Sequence, residues 1–101
     1  MKYRKRPIVV EAIQWTGFNL EDVYEFTHPE EEPLRKQFID PEFIGYWAGY
    51  DQRVKKDGLE LILSGGKVIK ANIGDFIIKE NNGDCYRCPS ETFVRIYEEE
   101  Q

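Results

Sequence analysis

The chain has 101 residues, 41% of them hydrophobic and 33% charged, with a formal net charge of −5; this fits one compact domain, residues 1–101, with enough apolar side chains for a core. No stretch is apolar enough to span a membrane and no signal segment opens the chain, so a cytoplasmic location is expected. Lys2, Arg4, Lys5 and Arg6 concentrate basic charge at the start, and without them ten basic residues face 19 acidic ones. A body of −9 repels phosphate, which argues against a nucleic-acid binder and suits a basic protein partner, although such a charge also simply keeps a small protein soluble.

In chain order, Lys5 to Trp15 alternates and reads as a strand, with Val9, Glu11, Ile13 and Trp15 on one face. Asn19 to Thr27 reads as a short amphipathic helix, capped by Asn19 and presenting Leu20, Val23, Tyr24 and Thr27 on one side. The proline-bounded segment His28 to Pro33 ends it. Residues 34–56 are the least regular: Leu34 and Phe38 suggest one brief helix, Asp40-Pro41 the cap of another turn. Phe43, Tyr46, Trp47 and Tyr50, interleaved with Gly45 and Gly49, are either core filler or an exposed interaction patch.

From Leu59 the pattern is β. Strands are expected over 59–63 and 67–71 around Ser64-Gly65-Gly66, then over 76–80 after the turn Ile73-Gly74-Asp75. Asn82-Gly83 predicts a hairpin whose returning strand carries Cys85-Tyr86-Arg87-Cys88, and Phe93 to Tyr97 alternates as a last strand. The fold class is α+β: a bent, largely antiparallel sheet of about five to six strands with one or two short helices.

The opening MKYRKRPIVVEAIQWTG and the run from Leu61 through GGKVIKANIGDFIIKENNGDCYRCPSETFVRIYE resemble a family of small phage and prophage proteins. Glu11, Gln14, Trp15, Gly74, Asp75, Ile77, Lys79, Gly83 and Cys88 fall on the family's pattern; Cys85 and the segment 28–56 depart from it. The resemblance implies a phage accessory protein acting inside a bacterium. By analogy with small acidic proteins of that kind, it points to an inhibitor of host defence of the anti-CRISPR type.

Catalysis finds little purchase, because His28 is the sole histidine and no glycine-rich phosphate loop is present. The two cysteines pose the one chemical question. Residues i and i+3 of a flat strand lie about 10 Å apart on opposite faces, too far for a disulfide or a shared metal. A break in the strand before Pro89 could swing them together, and zinc would then suit Cys85, Cys88 and His28. Asp84, Glu30, water or a second chain, which would make a homodimer, would complete the tetrahedron. Otherwise the cysteines are small apolar residues.

The leading expectation is therefore a non-enzymatic binder. Its acidic loop Glu30, Glu31 and Glu32, together with Tyr46, Trp47 and Tyr50, would occupy a basic patch on a host defence protein such as a CRISPR nuclease. The alternatives are a nucleotide-signal sponge with a pocket near Glu11, Gln14 and Trp15, and a phage structural or assembly component.

Overall fold

A computed structural model describes residues 1–2 and 9–97. The first half of the expected strand 5–15, the basic residues Arg4, Lys5 and Arg6, and the acidic tail lie outside the described residues. In chain order the elements are β1 (Glu11–Gln14), α1 (Leu20–Thr27), α2 (Leu34–Gln37), α3 (Pro41–Asp57) and β2 (Leu59–Ile62). A 3₁₀ turn (Ser64–Gly66), β3 (Val68–Ala71), β4 (Phe76–Lys79), β5 (Cys85–Cys88) and α4 (Ser90–Ile96) follow. The class is α+β, as the sequence predicts, with all strand pairs antiparallel.

The strands form two sheets rather than one: β1-β4-β5 and the hairpin β2-β3. Gly65 and Gly66 take φ of 84° and 86° in the hairpin turn, where a side chain would strain the backbone. β2 and β3 lie against β5, while α1 packs on β1 and α3 on β2. Trp15, Leu20, Val23, Val54, Leu59, Leu61, Ala71, Ile77 and Cys85 make one buried cluster drawn from both sheets and both longer helices. Ile77, on the central strand of the larger sheet, is fully buried.

Residues 34–57 are mostly helical, which corrects the reading of that segment as irregular and the expectation of only one or two short helices. Among the described residues there are four helices, and α3 runs for 17 residues. Its ends obey local rules: the Glu42 N–H donates to the Asp40 side chain at 3.0 Å, Pro41 occupies the first turn, and Gly58 closes the helix at φ 91°. Lys55 and Lys56 complement the dipole in its last turn. Phe43, Trp47, Tyr50 and Val54 recur at helical spacing and form the inward stripe. Gly45 and Gly49 fall on the solvent side, so they punctuate nothing.

The expected last strand is the helix α4. Pro89 stands at its N-cap with φ −55°, and Glu91 and Arg95 sit in its first and last turns, each matching the helix dipole. Phe93 stacks on Phe76 with ring centroids 3.9 Å apart and on Tyr97 at 4.9 Å. The aromatic pair at i,i+4 serves a helix as well as the alternation would have served a strand.

Candidate functional site

The acidic segment after α1 folds over the helix's last turn. Tyr24, buried on α1, stacks on the His28 ring at 4.0 Å and 15°, and meets the edges of Trp47 at 5.2 Å and Tyr50 at 5.6 Å. Its hydroxyl donates to Glu31 Oε1 at 2.9 Å. Burial, reinforced by the Glu31 carboxylate, pushes the Tyr24 phenol well up, so it remains a donor at neutral pH. His28 Nδ1 lies 3.0 Å from the Tyr24 carbonyl, which can only accept. The Thr27 hydroxyl lies at the same distance from Nδ1, so two neighbours hold the ring at that nitrogen.

These groups line a cleft of about 150 Å³ with Glu25, Glu31, Glu32 and the rings of Pro29 and Pro33. Three acidic residues, a histidine and an aromatic ring thus line it. Such a lining is a cation acceptor: a lysine or arginine side chain can thread its alkyl stem against the rings and place its charge among the carboxylates. Of the expected partner-binding acids, Glu31 and Glu32 line the cleft and Glu30 is exposed beside it.

The expected aromatic patch divides. Tyr46 is 51% exposed and stacks on Tyr50 at 6.3 Å. Trp47 and Tyr50 are half-buried and pack against the core cluster, so they back the cleft through Tyr24 rather than face solvent fully. Burial, then the neighbouring Tyr46, pushes the Tyr50 phenol up to about 12.

No family model, no curated protein and no solved structure matches the chain.

Cys85, Cys88 and His28 are not brought together. β5 keeps four consecutive antiparallel pairs with β4, from Cys85 opposite Lys79 to Cys88 opposite Phe76, so the strand does not break before Pro89. The two thiols are free, and they point to opposite faces as in any flat strand. Cys85 is buried in the core, and burial pushes its thiol up, out of the range of a reactive thiolate. His28 spends its ring on Tyr24 and Thr27, and Asp84 accepts from the Ser64 N–H and hydroxyl. Among the described residues no group of three or more His, Cys, Asp or Glu could hold a metal ion.

A second, larger cavity of about 310 Å³ opens beside Trp15, floored by Trp15, Leu20, Val54 and Ala71. Of the pocket residues expected for a sponge, only Trp15 lines it; the Gln14 amide donates to the Gly74 carbonyl at 3.1 Å and Glu11 stands 3.7 Å from Lys79 Nζ. Sequence reasoning missed Tyr24 as the centre of the acidic cleft. Its signal was present in Tyr24 and His28, four residues apart on a helix end and followed by three glutamates.

Proposed function

We propose that this chain is a phage-type, non-enzymatic accessory protein that works inside a bacterial cell by binding a basic surface of a host defence protein. The cleft of Tyr24, His28, Glu31 and Glu32 carries this reading. It offers acceptors and an aromatic wall, and it belongs to a chain with 19 acidic residues against 14 basic ones. A lysine or arginine from the partner enters the cleft, and the surrounding negative charge steers the encounter. The partner class that fits is a protein that normally grips nucleic acid, a CRISPR nuclease among them, because its binding face is already basic. Occupying that face competes with nucleic acid and needs no chemistry.

The test is capture of partners from a bacterial lysate on the immobilised chain, with plasmid interference measured in parallel. Capture of a nucleic-acid-binding protein and relief of interference are expected, both lost in the double variant Glu31→Lys, Glu32→Lys. A chain that captures no such protein and leaves interference undiminished sinks the proposal.

A further inference from the structure

The turn after β1 carries a knob, and the larger cavity beside it is a hole. Phe18 is 98% exposed, although so large an apolar ring gains strongly from burial. Its turn is held in place. The Phe18 N–H donates to Thr16 Oγ1 at 3.2 Å, and the Thr16 N–H and hydroxyl both donate to Asn19 Oδ1 at 3.0 Å. The Asn19 amide in turn donates to the Gln14 carbonyl at 2.8 Å. Gly17 has φ 88° and lies against Ile73: a Cβ on it would come within 3.1 Å of Ile73 Cδ1. The ring is thereby presented to solvent.

Gly17 and Ile73 are also walls of the 310 Å³ cavity, so the knob follows directly on a residue that borders the hole. An apolar cavity of about 150 Å³ accommodates a benzene ring, so this one has room for a phenyl group. Its rim carries an ion pair, Lys55 Nζ to Asp51 Oδ2 at 2.9 Å.

We propose that this face is a two-fold interface with a second copy of the chain, in which Phe18 of each copy enters the cavity of the other. A two-fold contact needs a patch complementary to itself, and a knob next to its own hole is such a patch. The rim has the same property: one anion and one cation let Lys55 of one copy face Asp51 of its mate. At this pair the contact is charge-balanced, despite the net charge of −5 on each chain. Ile73, exposed at the edge of the hole, gains cover in the same contact.

Sedimentation of the full chain over a concentration series tests this. A monomer–dimer equilibrium is expected, and Phe18→Ala should weaken it by about a hundredfold or more, since each dimer loses two aromatic anchors. Because Phe18 contributes almost nothing to the chain's own burial, the variant should keep its circular dichroism and melting temperature, so the result reports association alone. Asp51→Lys should weaken the dimer and Asp51→Lys with Lys55→Asp should restore it. A wild-type chain that is monomeric up to roughly 500 µM, a dimer undiminished by Phe18→Ala, or a small molecule retained in the cavity of a monomer would each overturn the proposal.

Discussion

Arg87 on β5 grips Asp75 at the start of β4: its Nε donates to Asp75 Oδ2 at 2.5 Å and its terminal nitrogen to Oδ1 at 3.2 Å. Asp75 is only 5% exposed, and the same carboxylate accepts from the Asn72 N–H at 2.7 Å. The Asp75 carbonyl receives the Trp15 N–H at 2.8 Å. One residue thus ties the β3–β4 turn, the end of β1 and the middle of β5. The Gly74-Asp75 turn acquires a structural reason here, and Arg87 of the CYRC segment has a clearer part than either cysteine.

This latch makes stability depend on acid. Burial alone would raise the Asp75 carboxyl, but hydrogen bonds from Arg87 and the Asn72 N–H outweigh it and hold the group below the ordinary carboxylate range. A depressed folded value means stabilisation that is complete above the unfolded value of about 3.9 and is lost as pH falls through the folded one. Asp75→Asn should melt well below wild type at pH 7, by about 2 kcal/mol of stability, and the gap should narrow below about pH 4. Thermal melts of both proteins between pH 7 and pH 2 check this; a gap independent of pH would assign the loss to packing.

The helical glycines of α3 should be replaceable. Gly45 and Gly49 have ordinary negative φ, and a Cβ added to either meets nothing within 4 Å. Glycine costs a helix interior about 0.5–1 kcal/mol relative to alanine. Gly45→Ala and Gly49→Ala should therefore each raise the melting temperature in calorimetry. A variant that melts higher yet loses a captured partner would show that the bare helix face is used.

The two thiols should separate kinetically. Cys88 is partly exposed and Cys85 is buried with its thiol pushed up. A thiol reagent at pH 8 should label Cys88 quickly and Cys85 only when the chain unfolds. Mass spectrometry of the labelled peptides reads this directly, and equal rates at both sites would contradict the burial of Cys85.

Removing the Tyr24 hydroxyl separates the cleft's architecture from its charge. Tyr24→Phe loses one part-buried hydrogen bond to Glu31, costing about 1 kcal/mol, and leaves every carboxylate in place. Urea denaturation should record that loss. Partner affinity should fall less than for Glu31→Lys, because the hydroxyl only positions Glu31.

The β half was legible because its signals are local. Glycine pairs and Asn-Gly mark turns by backbone conformation, and the register of β4 on β5 follows from the hairpin between them. The face of α1 was legible for the same reason: Leu20, Val23 and Tyr24 are buried as their spacing requires. Asn19 was half right. It stands at the N-cap, but its side chain serves the Thr16 turn instead of the helix amides. α3 was obscured because its glycines looked like breaks, whereas they lie on the face that packs against nothing. α4 was missed because alternating Phe93, Arg95 and Tyr97 suit a strand, and only the placement of Phe93 against Phe76 decides otherwise. Zinc depended on a break in β5, and whether a strand breaks is set by its neighbour β4, which local sequence does not disclose.

β1 pairs with β4 through Gln14 opposite Phe76 and Glu11 opposite Lys79. A ribosome makes these partners several seconds apart, at about 5–20 residues per second. For that interval β1 has no partner strand, while α1 and then the β2–β3 hairpin need only nearby residues. Loop-closure entropy therefore favours the short-range pieces, α1 and the β2–β3 and β4–β5 hairpins, and β1 is expected to join the larger sheet late, across the longest loop. A pause placed just before codon 76 should prolong the life of a nascent chain in which Trp15 is still solvent-accessible, and chaperones would meet the protein in that form.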